Sequence, residues 1–169
     1  ELIGLAFPNT LRLAVAAAVV AWITGIICGI IAAVKKNGIL DHLFMGFSLL
    51  GVSVPVFMVA MVLQYFLAYR LKLLPISGVD SWQGYILPAI ALGWNSAGSI
   101  ARLTRSTLLE VLLEDYIDTA RAKGHRQLGV ITVHALRNAL LPVITMMAVQ
   151  LSALLSGAVI CETVFSVTG

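Results

Sequence analysis

The residues able to do chemistry gather in one stretch of this chain. Between residues 102 and 138 stand Glu110, Glu114, Asp115 and Asp118, followed by Arg121, Lys123, Arg126 and Arg137, with His125 and His134 among the bases. Their chemistry is ionic pairing: acids ahead of bases complement the dipole of a helix, and a cluster of cations after it can meet acids on a partner. Catalytic patterns do not accompany them. The sequence holds no His-Glu-x-x-His motif, no carboxylate pair inside an apolar run and no Gly-x-x-x-x-Gly-Lys-Ser/Thr phosphate loop. Cys28 and Cys161 lie in or at the end of apolar runs without metal-ligand or redox spacing, and read as small buried hydrophobes. His42, His125 and His134 read as structural loop residues, so no metal site is expected. Basic patches interleaved with aromatics are missing, which excludes nucleic acid as a partner.

The elements that must position this stretch are apolar. Of 169 residues 60% are hydrophobic and only 11% charged, with a mean hydropathy of +0.98, whereas soluble domains carry about 25% charged residues. Runs this long and continuous are spans of a lipid bilayer. Four are expected. Residues 11–34 are nearly all Ala, Val, Ile and Leu and close on Lys35, Lys36, Asn37 and Gly38. The first run lacks a cationic leader and a small-residue cleavage site and is no signal peptide. Residues 44–68 form a second span, kinked at Pro55. Residues 85–101 form a third, whose Gly93, Trp94, Asn95, Ser96, Gly98 and Ser99 suit packing against protein rather than lipid. Residues 139–161 form a fourth, opening with Pro142 in its first turn.

Polar side chains at membrane depth face a cavity or a neighbouring helix, which makes Gln64, Asn95, Ser96, Ser99, Gln150 and Ser152 the candidates for lining a path. Eight of the eleven basic residues fall in segments 35–43 and 102–138, against Arg12, Arg70 and Lys72 elsewhere. Those two segments are therefore expected in the cytoplasm, with both chain ends external. In 102–138, Leu108, Leu112 and Tyr116 recur every fourth residue beside Leu109, Leu113 and Ile117, the pattern of an amphipathic helix. That helix is expected to end at Lys123, with Gly124 as its left-handed cap, and a second helix to run over 128–138.

The run from Asp115 to Gly124, with Asp118, Thr119, Ala120, Arg121, Ala122 and Lys123, followed by His134-Ala135-Leu136-Arg137-Asn138 and Pro142, resembles the cytoplasmic signature loop of ABC importer permeases. It is closest in wording to the branch serving dipeptides, oligopeptides and nickel. Asp118, Thr119 and Ala120 stand for the family's Glu-Ala-Ala, and His134 and Arg137 for its Ile and Pro. The likeness extends to Asn9-Thr10-Leu11-Arg12-Leu13, to Leu87-Pro88-Ala89 and to the stretch from Glu162 to Ser166, and so covers nearly the whole chain.

The resemblance implies an all-α polytopic transmembrane bundle, the type I ABC importer permease (MetI-like) fold, in the inner (plasma) membrane. It implies a permease that forms the path for peptides with a homologous second permease, takes cargo from an extracytoplasmic binding protein and is driven by two cytoplasmic ATPases. ATP and magnesium then belong to the ATPases, and this chain holds no cofactor and is no enzyme. Coupling would run through Asp118, Ala120, Arg121, Ala122, Lys123, Gly124, Arg126, His134 and Arg137. Nickel or a metal chelate is the alternative cargo, and a secondary transporter or channel the alternative class. Members of the family have one span before and one after these four, so the sequence is expected to be a fragment or an incomplete core.

Overall fold

A computed structural model describes residues 2–75 and 82–165. Helix α1 (Leu2–Val34) shows how the apolar sequence is used. Leu11, Val15, Val19, Ile23 and Ile27, spaced by four, are exposed, while Leu13, Ala14, Ala17, Ala18 and Ala21 are buried. The large side chains point away from the bundle and the small ones toward it, the arrangement for a helix whose outer solvent is lipid. At 33 residues and about 1.5 Å per residue, α1 exceeds the ~20 residues needed to cross a bilayer core.

The chain turns at Lys35–Gly38. Asn37 adopts φ 61°, a left-handed conformation that Asn tolerates better than most side chains. Gly38, extended, leads into α2 (Ile39–Ser53). The expected loop over 35–43 is thus shorter, and the second helix starts five residues before residue 44. Asp41 explains this: in the first turn of α2 it accepts the Asn37 N–H at 2.9 Å, beside the positive end of the helix dipole.

Val54 is extended (φ −89°, ψ 125°), as a residue before proline tends to be, and Pro55 starts α3 (Val56–Leu63). A π-helical segment, Gln64–Arg70, continues it. The two halves are bent by 110°, so the second span is two rods at a break rather than one kinked helix over 44–68. After a 3-10 turn at Trp82–Tyr85, α4 (Ile86–Val111) runs ten residues beyond the expected end at residue 101. Next come α5 (Asp115–Ala122), the short α6 (Gln127–Gly129), a π segment (Val130–Ala135) and α7 (Leu136–Phe165). From Gln127 onward the helical path is unbroken, so the expected helix over 128–138 and the fourth span are one rod. Pro142 lies inside α7, not in its first turn.

Among the described residues two helices are long and apolar enough to cross a membrane, or three if the bent pair is one span. The central helix α4 is not one of them. It buries thirteen residues, including Leu87, Leu92, Ile100 and Leu108, and meets α1, α2, α3 and α7. One buried cluster joins Leu13 and Ala17 of α1 to Leu87 and Leu92 of α4 and to Leu154, Ala158 and Phe165 of α7. A second joins Ala33 of α1, Leu108 of α4, Ile117 and Ala120 of α5, and Ala135 and Ala139 at the start of the last helix. Helices α1 and α4 therefore run parallel and α7 antiparallel to them. At the far end the Tyr85 hydroxyl donates to Asn9 Oδ1 at 3.2 Å.

Candidate functional site: the α5 knob at one end of the bundle

Of the acids and bases singled out from the sequence, Asp115, Asp118, Arg121, Lys123 and His125 come together on α5 and the turn after it, while Glu110 lies in the last turn of α4 and Arg137 in the first of α7. The helix starts where Glu114 turns extended and places Asp115 and Asp118 in the first turn, Arg121 in the last. It ends in a Schellman arrangement: Gly124, at φ 83°, donates to Arg121 O at 3.0 Å, and His125 donates to Ala120 O at 3.4 Å. The left-handed backbone alone favours glycine here, for nothing lies within 4 Å of where a Cβ would sit. The expected cap at Gly124 is in place. The helix before it is shorter than expected, because the 108–112 periodicity belongs to the last turns of α4 and a turn at residues 112–114 separates the two.

One face of α5 is anchored and the other is free. Ile117 and Ala120 are buried in a cluster with Val130 and Ala135 of the π segment, Ala139 of α7, Leu108 of α4 and Ala33 of α1, and the π segment is the main neighbour of α5. Asn138 Nδ2 donates to the Tyr116 hydroxyl at 2.8 Å, tying α5 to the start of α7. Outward lie Asp118 and Arg121, paired at 2.8 Å with both side chains well exposed, together with Ala122, Lys123 and Arg126. An exposed pair of this kind contributes only about 0–1 kcal/mol, which leaves both groups free to exchange partners. Half-buried His134 lies beside His125, ring centroids 5.2 Å apart and planes tilted by 56°, so it brings the π segment against the turn. Arg137 is exposed at the start of α7.

A second polar feature adjoins the knob and was not singled out from sequence. Arg105 of α4 donates from Nε to Asp41 Oδ1 at 2.6 Å and from Nη2 to Asp41 Oδ2 at 2.7 Å; Asp41 is only 2% exposed. At this polar end of α2, ahead of its apolar stretch, the guanidinium hydrogen bond holds the Asp41 carboxyl below the usual carboxylate range, assisted by the Asn37 N–H and opposed by burial. The only sequence signal was a lone acid between the first two apolar runs, 64 residues from its partner. Segments 35–38 and 102–138 do share one end of the bundle, where this pair joins them.

The six path candidates are dispersed over three helical segments. Asn95, Ser96 and Ser99 sit on α4, with Asn95 Nδ2 donating to Val52 O at 3.4 Å next to the break and Ser99 donating to Asn95 O. Ser96 is buried, Gln64 is half-buried at the start of the π segment, Gln150 is buried on α7 with its Oε1 unpartnered, and Ser152 is exposed. A cavity of about 340 Å³ does lie between α1, α2 and α4, lined by Thr24, Cys28, Phe44, Phe47, Ser48 and Trp94 among others. None of the six lines it. Among the described residues no group of three or more His, Cys, Asp or Glu could hold a metal. The matching stretch at the chain's end is described only as far as Phe165; Ser166 lies outside the described residues.

Comparison with known proteins bears on this geometry. A family described as "binding-protein-dependent transport system inner membrane component" matches residues 25–169. The dipeptide transport system permease protein of Bacillus subtilis (strain 168) is 42% identical over 163 residues, covering 96% of this chain and 53% of its own length. The glutathione transport system permease protein of Escherichia coli (strain K12) is 45% identical over the same length, again 96% of this chain and 53% of its own. The chain thus spans about half the length of the curated relatives it matches. Among solved structures, an inward-facing MetNI methionine ABC transporter matches with a TM-score of 0.71 at 17% identity, covering 92% of this chain and 70% of that one. That likeness is one of fold.

Proposed function

The chain belongs to the family of binding-protein-dependent transport system inner membrane components, and on that premise we propose that it is a membrane-spanning permease subunit of an ATP-driven importer of peptides. Its fold is all-α, the type I ABC importer permease (MetI-like) fold. The observation that carries the proposal is the two-faced α5: anchored through Ile117 and Ala120, and presenting Asp118, Arg121, Lys123 and Arg126 outward. A helix so held cannot be pushed without moving the π segment Val130–Ala135 on which it chiefly packs, and with it the cluster that also holds Leu108 of α4 and Ala33 of α1. This is the shape of a part that receives force from outside the membrane and passes it into the bundle.

In this reading α5 docks on a cytoplasmic ATPase that binds ATP and magnesium, and its free charges pair with acids and bases of that partner. A second, homologous permease completes the path, and an extracytoplasmic binding protein delivers the cargo. Lys35, Lys36, Arg102, Arg105, Arg121, Lys123, Arg126 and Arg137 share the α5 end, which supports placing that end in the cytoplasm. Peptides are the proposed cargo because relatives 42% and 45% identical to this chain over 163 residues are named for dipeptide and glutathione transport.

The test is reconstitution of the complete permease pair with its ATPases and binding protein, assayed for ATP-dependent uptake of radiolabelled dialanine and glutathione. Gly124→Pro, and separately an R121E/K123E charge reversal, should abolish ATPase co-purification and uptake. Unchanged co-purification and uptake in both would refute the coupling role of α5.

A further inference from the structure

Helix α2 is attached to the bundle in an unusual way. Its three buried residues are Asp41, Ser48 and Gly51, none of them a large apolar side chain, while Ile39, Leu43, Phe47 and Leu50 are exposed. What fastens α2 to α4 is a row of polar and backbone contacts. At the α5 end stands the doubly hydrogen-bonded Asp41–Arg105 pair. Farther along, the Ser48 carbonyl lies so close to Gly98 that a Cβ there would sit 2.7 Å from it, and Gly51 stands close to the Trp94 carbonyl. At the break, Asn95 Nδ2 reaches Val52 O. The close backbone contacts restrain separation; of these, only the ion pair also fixes the position of α2 along α4, because a planar guanidinium meeting a carboxylate with two parallel bonds tolerates little sliding.

The same α4 carries Leu108 three residues beyond Arg105, in the cluster that buries Ile117 and Ala120 of α5. We propose that Asp41 and Arg105 are a positioning pair that locks α2 to α4, so that movement imposed at α5 is delivered to the 110° break at Val54–Pro55 rather than lost in slippage of α2. The inference rests on the permease reading. It assigns to residues outside the α5 knob a role in converting ATP turnover into transport. Neither residue touches the outward face of α5, so ATPase docking does not require them.

The experiment uses the reconstituted full complex with three variants: Asp41→Asn, Arg105→Lys, and the double neutral variant Asp41→Asn with Arg105→Gln, which removes the pair without leaving a buried charge alone. Two quantities are measured: binding-protein-stimulated ATP hydrolysis, and radiolabelled dialanine taken up per ATP hydrolysed. The expected result is near-normal assembly and hydrolysis, with uptake per ATP reduced about tenfold in D41N and in the double variant and less in R105K. Hydrogen exchange over residues 39–53 should quicken while residues 115–122 stay protected. A double variant with the wild-type uptake-to-ATP ratio overturns the inference, and so does one that fails to assemble, because the pair then serves folding alone. A wild-type complex with no ATP-dependent uptake would instead refute the permease reading.

Discussion

The packing of α1 on α4 yields a prediction whose size follows from the distances. A Cβ added at Gly29 would lie 2.6 Å from the Ala101 carbonyl oxygen and 2.6 Å from Thr104 Cβ. Ordinary contact begins near 3.4 Å, so the two helices must part by most of an ångström or α1 must rotate. Overpacking of this kind costs about 1–3 kcal/mol. Against it stands the helix propensity that alanine gains over glycine, about 0.8–1.0 kcal/mol. Gly46 of α2 is the control, since a Cβ there meets nothing within 4 Å, and only the propensity gain applies.

Gly29→Ala should therefore fall below Gly46→Ala in stability by the overpacking term, about 1–3 kcal/mol. The assay is denaturant unfolding of the purified full permease in mixed micelles, followed by circular dichroism. Relief at the second helix should be incomplete: Thr104→Ser removes Cγ2, at 3.0 Å, but leaves the carbonyl and Cβ contacts in place. If Gly29→Ala is as stable as Gly46→Ala, or if Thr104→Ser restores it fully, the close approach of the two backbones is not what holds α1 to α4.

Other expectations follow from the knob and the ion pair. Ile117→Ala removes a fully buried side chain from the α5 seat and should cost about 2–5 kcal/mol, read as faster hydrogen exchange confined to residues 115–122. Gly124→Ala should cost about 1–2 kcal/mol through its left-handed backbone, with Gly124→Asn milder, both measured by the same exchange. Arg121→Ala should change unfolding stability by less than about 1 kcal/mol yet weaken ATPase co-purification, separating the surface role from the structural one. Because the Asp41 carboxyl is held below its ordinary value, its pair contributes stability that is complete above about pH 4 and is lost as pH falls through the lowered value. Asp41→Asn should flatten that acid limb in a pH series of unfolding midpoints.

What could be read from the sequence was local. Asp115 to Lys123 announce a helix because acids and bases sit at the proper ends, and Gly124 announces its cap because a left-handed turn favours glycine. The small and polar residues of 85–101 announced a helix packed on protein, and α4 is the most enclosed of the rods. Features decided by distant partners were not legible. Pro55 marks a break, but the 110° angle is set by where α3 finds its seat on α4 and α7, which no window around Pro55 contains. Asp41 has no meaning without Arg105. The sequence divides the unbroken path from Gln127 to Phe165 into two pieces, a helix over 128–138 and a span over 139–161, because the polar His134, Arg137 and Asn138 end the apolar run, although a helix leaving the bilayer has no need to be apolar.

The position of α4 explains why these small and polar residues matter so much. Between helices surrounded by lipid, apolar surface gains little by being covered, since the alternative neighbour is equally apolar; association depends on close backbone approach and polar contacts instead. Of the three long helices, the more apolar α1 and α7 can therefore face outward, and the least apolar, α4, takes the centre. There it is gripped by Gly25 and Gly29 of α1 on one side and by Ser48 and Gly51 of α2 on another, each grip a backbone contact with almost no room for a side chain. Such contacts resist bending and separation more than they store apolar burial. A helix held in this way moves with its neighbours as a unit, so on the proposed coupling role a displacement of α5 would reach the far side of the bundle without requiring the core to repack.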